Sequence, residues 1–483
     1  MKVAVSYPPL GDSRYPTLGQ NRQFQWFHNP SFIYPMVPAW AATMLKEMGH
    51  DVIWNDAIAM RWKANDFWEF IAEERPDLIA LETKTPVVKK HWEIIKRIKT
   101  DFPETITVLV GDHVTALPEE SLEMSPVDYI LTGGDYDFLL VNLVEHLEGK
   151  SALEPGVWFR KESDFSSTGS FTLDHDLDSL PEIDRELTHW ELYGEHLFIK
   201  KPHTYTMAGR DCWYGRCTFC AWTTLYPRFR ARNHENVLDE IGHLIERYGV
   251  KEIFDDTGTF PTGGWLDRFC RGMIEREYPG KLALSCNARV GSMSPAQYRL
   301  MSKAGFRLLK FGLESANQKT LDMLNKGTTV QDIEESCRMA KQAGLTVHLT
   351  TMVGYPWESK ADARRTLDLC RALLARGDAD MLQATIVTPY PGSPLFEKAK
   401  ETGWLRATDW DLFDMSAPVL ASPMTDDEIR GLTQGLYRSF LSPRFMARTL
   451  VSIKSGDDIR FIARAARAAL GHLRDFTKNR SAT

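Results

Sequence analysis

The sequence has few of the features that mark secreted or membrane-spanning proteins. Its 7 cysteines are an odd and small number for 483 residues, and this usage is typical of a reducing compartment. The first ten residues, MKVAVSYPPL, lead directly into a strand-like pattern and do not resemble a signal peptide. No apolar run is long enough to span a bilayer. We therefore expect a cytoplasmic protein.

An excess of positive charge is also missing. The formal net charge of -7 argues against a general nucleic-acid-binding function. No GxGxxG motif follows the first strand-like segment, so a dinucleotide is not the favoured ligand. A hydrophobic content of 43% and a charged content of 25% are typical of globular proteins. The chain length predicts two or three domains.

The first part of the chain alternates strand-like and helix-like segments, which predicts a parallel, doubly wound sheet. The predicted strands are 2–7, 51–56, 78–83, 107–112 and 129–134, and the predicted helices are 38–49, 64–74, 87–100 and 137–148. Ligands of such sheets bind beyond the carboxyl ends of the strands. Small and polar residues follow the predicted strands there: Thr83, Lys84, Thr85, Gly111, Asp112, His113, Thr115, Gly133, Gly134 and Asp135. They are either ligand-binding or ordinary turn residues.

A second alternating series occupies residues 201–396 and predicts a partial (β/α)6 barrel. Its predicted strands are 205–210, 252–257, 282–289, 308–314, 346–354 and 381–387, and its predicted helices are 235–248, 264–276, 295–304, 329–343 and 359–375. Because barrel active sites lie at the carboxyl ends of the strands, polar residues at those ends are site candidates. They include Asp255, Asp256, Asn287, Arg289, Glu314 and Tyr390.

These patterns divide the chain into four parts. Residues 1–148 form an α/β domain, 149–200 a connector, 201–396 the barrel and 397–483 a helical region. The connector is less periodic, and we expect it to lie on the surface.

The stretch GRDCWYGRCTFCAW places Cys212, Cys217 and Cys220 within nine residues, directly after the first predicted barrel strand. Thiolates prefer soft metals such as zinc and the iron of iron–sulfur clusters. A structural zinc site needs four ligands, and His234 is the nearest downstream histidine that could supply the fourth. A four-iron cluster held by three cysteines instead leaves one iron open to a ligand.

The cysteine loop resembles the cluster loop of radical S-adenosylmethionine (SAM) enzymes. Those enzymes usually have C-x3-C-x2-C, whereas this chain has C-x4-C-x2-C with Gly215 as the extra residue. The Elongator catalytic subunit, also a radical SAM protein, has the longer spacing, and glycine tolerates the backbone angles that an insertion needs. Further segments resemble the family in the same order: PRFRARNHENVLDEI, IFDDTGTF, NARV, FGLES, VGYPWES and TPYPGSPLF.

The N-terminal part resembles the cobalamin-binding domain of one branch of this family. The matching segments are VGDHVTALPEE and YILTGGDYD, with DSLPEIDR similar to the connector before the barrel. The resemblance implies a Rossmann-like cobalamin site that includes Thr83, Gly111, His113, Thr115, Gly133 and Gly134. The D-x-H-x-x-G motif, which supplies a histidine to cobalt, is missing. We therefore expect His113 to fix its loop rather than to bind cobalt.

The resemblance also implies roles for barrel residues. Cys212, Cys217 and Cys220 would bind the cluster, which is both the metal site and the catalytic centre. Phe219 and Tyr390 would contact adenine, Asp256 would lie near the SAM amino group, and Glu314 would accept from a ribose hydroxyl. Arg289 would bind the SAM carboxylate or Glu314, and a purely structural Arg289–Glu314 ion pair is the alternative.

The branch contains cobalamin-dependent methyltransferases, the anaerobic magnesium-protoporphyrin ester cyclase and enzymes of hopanoid and other lipid pathways. The resemblance therefore implies a [4Fe-4S] cluster, SAM, cobalamin and an external electron donor such as flavodoxin or ferredoxin. A methyltransferase acting on an unactivated carbon is the first hypothesis, and a cyclase or oxidoreductase is the second. The third is a non-catalytic cobalamin or iron–sulfur sensor, if Gly215 disables radical chemistry.

The C-terminal tail is basic and has apolar residues at helical spacing. Its cations are Arg444, Arg448, Lys454, Arg460, Arg464, Arg467, Arg474, Lys478 and Arg480, and its apolar residues include Ile459, Ile462, Ala463, Ala466 and Leu470. Such a helix can lie on an anionic membrane surface, or it can dock on the barrel. Similar tails in lipid-pathway relatives favour a hydrophobic, lipid-like substrate.

Overall fold

A computed structural model of the chain describes residues 1–11, 15–16, 26–27, 31–161, 164–194, 197–451, 453 and 456–476. Within these ranges, one large mainly parallel sheet lies in each half of the chain. The predicted α/β class, with a doubly wound domain followed by a partial barrel, is therefore confirmed.

The N-terminal sheet has seven strands in the order β4-β1-β5-β6-β7-β8-β9. The strands of this half are β1 (Lys2–Tyr7), β2 (Tyr15–Pro16), β3 (Trp26–Phe27), β4 (Asp51–Asp56), β5 (Leu78–Glu82), β6 (Ile106–Val110), β7 (Tyr129–Leu131), β8 (Val157–Lys161) and β9 (Asp164–Ser167). The first five strands in that order pair in parallel, whereas β8 and β9 are antiparallel. β2 and β3 form a separate two-stranded hairpin.

Helices cover both faces of this sheet. They are α1 (Met36–Glu47), α2 (Ala64–Glu74), α3 (Val88–Asp101), α4 (Asp112–Ala116), α5 (Pro118–Met124) and α6 (Tyr136–Leu147). Trp40 of α1 and Leu143 of α6 belong to one core cluster, and Ile71 of α2 and Ile95 of α3 belong to another. Because each face of a parallel sheet is apolar, both faces must be covered. The predicted helix positions agree to within about two residues.

The expected surface connector is wrong in two respects. β8 and β9 extend the N-terminal sheet to Ser167, and the following segment, although mostly exposed or half-buried, places side chains such as Ile183, Arg185 and Trp190 in the interior. Arg185 is 2% exposed and donates to Thr204 Oγ1 at 2.6 Å and to the Tyr205 carbonyl at 2.9 Å. The connector therefore packs between the sheet and the barrel. The physical reason is that two short antiparallel strands and isolated apolar anchors such as Trp190 produce no sustained period in the sequence.

The barrel sheet has six parallel strands in the order β10-β13-β14-β15-β16-β17. The strands of this half are β10 (His203–Thr206), β11 (Gly209–Arg210), β12 (Arg230–Ala231), β13 (Glu252–Asp255), β14 (Ala283–Ala288), β15 (Phe306–Glu314), β16 (Thr346–Val353) and β17 (Met381–Ile386). The helices are α7 (Trp222–Leu225), α8 (His234–Tyr248), α9 (Gly263–Glu275), α10 (Pro295–Lys303), α11 (Gln318–Met323), α12 (Val330–Gln342), α13 (Lys360–Arg376) and α14 (Pro394–Glu401). In the described sheet β10 does not pair with β17, so the barrel is open on one side.

Local signals set the limits of the barrel helices. The side chain of Asn233 accepts a hydrogen bond from the Glu235 amide at the start of α8, and Gly249 ends this helix in the left-handed region. Val237, Leu238, Ile241 and Leu244 of α8 are buried at the spacing of one helix face. The helices thus cover the outside of the strands, and the strand ends remain available for a site.

Three further helices, α15 (Asp426–Tyr437), α16 (Pro443–Val451) and α17 (Gly456–Asp475), follow the barrel. The Tyr437 hydroxyl accepts from the Ala384 amide and donates to the Ala384 carbonyl, which holds α15 on strand β17. Arg448 of α16 donates to the Ala379 carbonyl, just before β17, at 2.9 Å, and Arg464 of α17 donates to the Phe198 carbonyl of the connector at 2.8 Å. The tail therefore docks on the barrel, one of the two expected alternatives; Lys454, Lys478 and Arg480 lie outside the described residues. Among the described helices, none has the length and apolarity needed to cross a membrane.

Candidate active site

The three clustered cysteines lie at the carboxyl ends of the barrel strands, in the loop that follows β11. The backbone of Cys212 pairs with that of Thr259 in an isolated parallel β-bridge, and the Cys212 Sγ lies 3.0 Å from the Thr259 hydroxyl. The Thr218 amide donates to the Leu324 carbonyl at 2.9 Å, which anchors the middle of the loop. The loop is thus attached both to the segment after β13 and to the segment after α11.

The extra residue of the loop, Gly215, has a φ of +54°. This left-handed conformation favours glycine. The neighbouring Tyr214 donates its hydroxyl to the Asn325 carbonyl at 2.7 Å, and the Arg289 guanidinium lies 3.8 Å from the Tyr214 ring centroid. The insertion is therefore accommodated in a turn that folds against residues 325–327.

The three cysteines of the loop are half-buried, and their thiols are close enough to affect one another. Burial raises the pKa of the Cys220 thiol well above its usual range, and the nearby Cys217 and Cys212 raise it further. Burial also raises the pKa of Cys217, although Lys326 lowers it. Without a cation these two thiols therefore stay protonated, and a bound metal would supply the positive charge that converts thiols to thiolate ligands. This donor set fits a metal cluster.

A single zinc ion fits less well. Among the described residues, no three His, Cys, Asp or Glu side chains converge on one ion position. His234, the expected fourth ligand, has its Nε2 3.4 Å from Glu235 and its ring against Trp265. A four-iron cluster binds each thiolate at a different iron, so its ligands need not converge on one point.

Glu314 ends strand β15, and its partner is Lys326 rather than Arg289. Lys326 Nζ lies 2.8 Å from Glu314 Oε1. Arg289 Nη2 donates to the carbonyls of Lys326 at 2.6 Å and Gly327 at 2.9 Å. The alternative of an Arg289–Glu314 ion pair is therefore wrong, whereas the contact of Arg289 with the SAM carboxylate stays a prediction. Sequence reasoning missed Lys326, whose one signal is the turn-like NKG at 325–327 that follows α11.

The other expected SAM-binding residues divide into two groups. Phe219 faces the cavity beside the cysteines, with Lys326 Nζ 5.7 Å from its ring centroid. Asp256 and Tyr390 are 2% and 5% exposed and do not line this cavity. The Tyr390 hydroxyl donates to the Phe413 carbonyl at 3.0 Å. The roles of these residues toward SAM stay predictions.

A cavity of about 1040 Å³ begins at the cysteines and follows the inside of the barrel sheet. We call it the barrel cavity. Its lining includes Cys212, Cys217, Cys220, Phe219, Glu314 and Lys326 at one end, Lys310, His348, Thr350 and Gln383 along the sheet, Arg307, Thr346 and Asp380 at the other end, and Phe445, Met446, Phe461, Ile462, Ala465 and Ala469 of the C-terminal helices. Ser31 and Ile33 of the segment before α1 also reach it. The two halves of the chain therefore share one cavity.

The two halves are also joined through buried charges next to the cysteine loop. Arg210, two residues before Cys212, donates from Nη1 to Asp135 at 3.0 Å and to Asp137 at 2.9 Å, and all three side chains are at most 2% exposed. Arg230 also binds Asp135. The Tyr226 hydroxyl donates to the Gly134 carbonyl at 2.8 Å. The turn after β7 is thereby fixed to the loop that carries the thiols.

At the carboxyl edge of the N-terminal sheet, His113 is fully buried. Its Nδ1 lies 3.1 Å from Thr85 Oγ1 and its Nε2 lies 3.1 Å from Glu120 Oε2. The ring of Trp410 packs edge-on against it, with 5.2 Å between centroids. Both ring nitrogens thus have protein partners. This geometry favours the expected loop role over metal ligation.

The remaining residues expected at this edge bond within the protein. Thr83 Oγ1 lies 2.7 Å from His91 Nδ1, and Thr115 Oγ1 donates to the Gly111 carbonyl at 2.7 Å and accepts from the Gly133 amide at 3.0 Å. A Cβ at Gly111 would collide with the Thr83 carbonyl. A Cβ at Gly133 would lie 2.5 Å from the Phe171 ring, and one at Gly134 would collide with the Tyr226 ring. These glycines thus allow close packing of neighbouring loops, and their ligand contacts stay predictions.

Comparison with known proteins decides the family. The radical SAM superfamily model matches residues 208–370, and the B12 binding domain model matches residues 31–138. This chain is a radical SAM enzyme with an N-terminal B12-binding domain. It is 26% identical over 423 residues to an uncharacterized methyltransferase, PH0819, of Pyrococcus horikoshii. This match covers 86% of this chain and 90% of that protein. It is 27% identical over 417 residues to the anaerobic magnesium-protoporphyrin IX monomethyl ester cyclase of Cereibacter sphaeroides, covering 83% and 66% of the two chains.

A solved structure shares the fold. The radical SAM methyltransferase TsrM of Kitasatospora setae, with cobalamin and a [4Fe-4S] cluster bound, aligns with a TM-score of 0.69 and 16% identity, over 97% of this chain and 99% of that one. Both domains and the C-terminal region thus follow a known arrangement. By its two domains, the present chain uses a [4Fe-4S] cluster, SAM and cobalamin.

The residues of the B12-binding domain fit a polar ligand at the carboxyl edge of its sheet. Ser6 and Asn55 occupy paired register positions near the ends of β1 and β4. The Ser6 hydroxyl and the Asn55 amide group are buried, and neither has a hydrogen-bond partner among the described residues. Buried polar atoms nearly always have partners, and the amide groups of a corrin could supply them. In the radical SAM domain, the three thiols fit the cluster by their chemistry.

Proposed function

We propose that this enzyme methylates an unactivated carbon of a hydrophobic, lipid-like substrate in a cobalamin-dependent reaction. The observation that carries the proposal is the barrel cavity, which joins the three cysteines to an apolar wall formed by α16 and α17. Its volume of about 1040 Å³ is at the upper end of the range for small-molecule sites. The similarity to a protein named as a methyltransferase supports the same reaction class.

When bound, the [4Fe-4S] cluster would supply the electron for reductive cleavage of SAM, and cobalamin would supply a carrier for the methyl group. Cys212, Cys217 and Cys220 would hold the cluster, and Ser6 and Asn55 would contribute to holding cobalamin. Within the protein, Lys326 holds the Glu314 carboxylate in place at the end of β15. Phe219 lines the cavity beside this pair, with its ring centroid 5.7 Å from Lys326 Nζ.

The hydrophobic character of the substrate follows from the walls of the cavity. Phe461 and Ile462 of α17 and Phe445 of α16 line it, although both helices carry arginines on their exposed sides. Apolar side chains around a site favour apolar ligands, because burial of apolar surface is favourable. A donor such as flavodoxin or ferredoxin would supply the electron that reduces the cluster.

The exposed apolar residues of the tail support a peripheral membrane contact. Leu450, Val451 and Ile459 are 66%, 85% and 56% exposed, and Arg460 and Arg467 are exposed nearby. Basic residues beside exposed apolar ones are typical of helices on anionic lipid surfaces. A hydrophobic substrate could then pass directly from lipid to the cavity.

Formation of 5′-deoxyadenosine tests the radical chemistry. Under anaerobic conditions, we would reconstitute the protein with iron and sulfide, add cobalamin, reductant and SAM, and quantify the nucleoside by mass spectrometry. We expect wild-type enzyme to form it and Cys217→Ala to form none. Cys370→Ala is the matched control, because Cys370 is fully buried in α13, away from the loop. An iron-containing wild-type protein that forms no 5′-deoxyadenosine would favour the sensor hypothesis.

A cyclase or oxidoreductase is the second candidate, since the chain also resembles the ester cyclase of Cereibacter sphaeroides. The two reactions differ in a product of SAM. Methyl transfer gives S-adenosylhomocysteine together with 5′-deoxyadenosine, whereas the cyclase gives no S-adenosylhomocysteine. Quantifying both nucleosides in the presence of lipid extracts would separate the candidates.

A further inference from the structure

A second cleft, of about 560 Å³, lies between α13 and the start of α16. Arg371 of α13, Arg438 of the short turn Arg438–Leu441 and Arg444 of α16 line it, and all three arginines are exposed. We call it the arginine cleft. Several guanidinium groups around one cleft suit an anion that accepts many hydrogen bonds, as a phosphate does.

Acidic side chains balance the charge of the arginine cleft only in part. Arg371 lies 4.0 Å from Asp368, one turn earlier on α13, and both are exposed. Among the described residues, no carboxylate pairs with Arg438 or Arg444, and none lines the cleft. Asp458 of α17 lines the barrel cavity but not this cleft. The turn and α16 together contain three arginines and no acidic residue, so the potential at the cleft attracts anions.

Exposed apolar side chains follow the cleft along α16. Leu441 and Met446 are 58% and 52% exposed, and Leu450 and Val451 at the end of the helix are 66% and 85% exposed. Arginines beside exposed apolar residues are typical of helices that lie on anionic lipid, because phosphates attract the cations and the acyl region accepts the apolar groups. The combination therefore favours a lipid surface over a small soluble anion.

The arginine cleft adjoins the mouth of the barrel cavity. Leu441 lines both, and Met446 and Leu450 line the cavity. A lipid whose phosphate lies in the cleft thus has its acyl chains beside this mouth. The two features form one continuous surface.

The cleft is remote from the cysteine loop. Arg448 of α16 donates to the carbonyl of Ala379, just before the start of β17, whereas the cysteines lie at the carboxyl ends of the strands. Strand β17 has six residues, which at about 3.3 Å per residue separates the two ends by roughly 17 Å. An electron donor has to approach the cluster, so this distance argues against an electron donor as the partner of the cleft.

We propose that the arginine cleft and the apolar side chains of α16 dock the enzyme on an anionic phospholipid membrane. A lipid phosphate lies between the three arginines of the cleft, and Leu450 and Val451 insert among the acyl chains. The mouth of the barrel cavity at Leu441 then faces the lipid, and a hydrophobic substrate enters it without passing through water. This assignment rests on the proposed function and names the surface and the partner through which the substrate arrives.

Cosedimentation of the whole reconstituted chain with vesicles tests the assignment. One set of vesicles consists of phosphatidylcholine, and the other is an equal mixture of phosphatidylcholine and phosphatidylglycerol. We expect the chain to bind the anionic vesicles about tenfold more tightly than the neutral ones at low salt. This preference should decrease as salt is added, because salt screens exposed charges. Equal binding to the two sets at low salt would overturn the assignment.

Removal of two arginines tests the cleft itself. Arg438→Gln combined with Arg444→Gln should weaken binding to the anionic vesicles by about fivefold for each arginine. Binding to the neutral vesicles should not change. Arg268→Gln combined with Arg271→Gln is the matched control, because these arginines are exposed on α9, between β13 and β14, and the same charge is removed. Equal binding of the two double variants to anionic vesicles would contradict a role of the cleft.

Val451→Gln tests the insertion of α16. We expect it to weaken binding to the anionic vesicles by about fivefold, since less apolar surface then leaves water on binding. Ile274→Gln is the control, because Ile274 is an exposed apolar residue of α9, 40% exposed. If both variants bind as tightly as the wild-type chain, α16 does not insert and the assignment is overturned.

Two other partners would give different results. If the double variant of the cleft slows reduction of the cluster by flavodoxin in the absence of vesicles, the cleft binds the electron donor. If the wild-type chain sediments as a dimer and the double variant as a monomer, the cleft binds a second copy of the chain. Either result would overturn docking on a membrane.

Assaying 5′-deoxyadenosine with a chemical reductant on the same preparations separates this assignment from the proposed function. Enzyme that cleaves SAM but binds no vesicles overturns the membrane docking alone. Enzyme that binds anionic vesicles but cleaves no SAM overturns the proposed function alone.

Discussion

Gly215 shows how one residue changes the cysteine loop without removing its thiols from the site. At φ = +54° it makes a left-handed turn, and a Cβ there would lie 3.3 Å from the Cys212 carbonyl oxygen. The turn presents Tyr214 to Asn325 and Arg289. The longer spacing is thus part of a defined structure.

Replacing this glycine tests its role. We expect Gly215→Ala to destabilise the protein by about 1 kcal/mol, since the left-handed conformation is unfavourable for residues with a Cβ, and to lower the iron content per chain after reconstitution. Gly249→Ala is the control, because Gly249 ends α8 with a φ of +61° and a Cβ at this position would meet no atom within 4 Å. Both variants should lose similar stability, measured by urea unfolding. Equal iron contents in the two variants would contradict a specific role for Gly215.

Sequence reasoning at the residue scale succeeded where the signal is local. Cysteine spacing is readable from the chain because all three thiols lie in one loop. The partner of Glu314 was not readable, because Lys326 reaches it only through the turn after α11. Arg289 was expected at that position, but its guanidinium is held by two backbone carbonyls and the Tyr214 ring. Long cationic side chains can reach several anions, and spacing alone does not select among them.

Among the secondary-structure elements, β17 is one of the two strands, with β10, that lie at the edges of the described open barrel. Edge strands expose unpaired backbone groups, and here α15 covers part of that edge. The Tyr437 hydroxyl accepts from the Ala384 amide at 3.1 Å and donates to the Ala384 carbonyl at 2.8 Å. A single side chain thus supplies two hydrogen bonds that a neighbouring strand would otherwise make.

We expect Tyr437→Phe to lower the free energy of unfolding by about 1–3 kcal/mol, because it leaves two buried backbone groups of Ala384 without a partner. Tyr248→Phe is the control, since the Tyr248 hydroxyl binds Glu186 at the protein surface, and it should change stability by less than about 0.5 kcal/mol. Thermal unfolding followed by circular dichroism measures both. Equal shifts in melting temperature would show that the hydroxyl does not protect the strand edge.

The elements themselves were largely predictable. Buried parallel strands give short apolar runs, and amphipathic helices give a regular period, so both series of units were placed correctly. β8 and β9 were missed because short antiparallel strands carry little sequence pattern. The apolar residues of α17 were recognised, but which of them face the barrel depends on docking. Phe461 and Ile462 line the cavity, whereas Ile459 is 56% exposed.

On the scale of the whole molecule, the two domains meet beside the cysteine loop. Arg210 belongs to the radical SAM domain and binds two residues of the B12-binding domain: Asp135 in the turn after β7 and Asp137 in the first turn of α6. Burial raises the pKa of Asp137, and the charge and hydrogen bonds of Arg210 act in the opposite direction. No sequence pattern indicates this contact, because its partners are about 75 residues apart and on different domains. The contact fixes the position of one cofactor domain relative to the loop of the other.

Arg210→Met should therefore lower the free energy of unfolding by more than the removal of an exposed arginine does. It leaves the fully buried Asp137 without its arginine, and breaking a buried pair in this way costs about 3–5 kcal/mol. Because Arg210 lies two residues before Cys212, we also expect less iron to be retained per chain. Arg247→Met is the matched control, since its pair with Glu186 is more than half exposed and contributes at most about 1 kcal/mol. Urea unfolding and iron analysis measure the two effects. If both variants unfold at the same urea concentration with equal iron, the buried network does not hold the domains together.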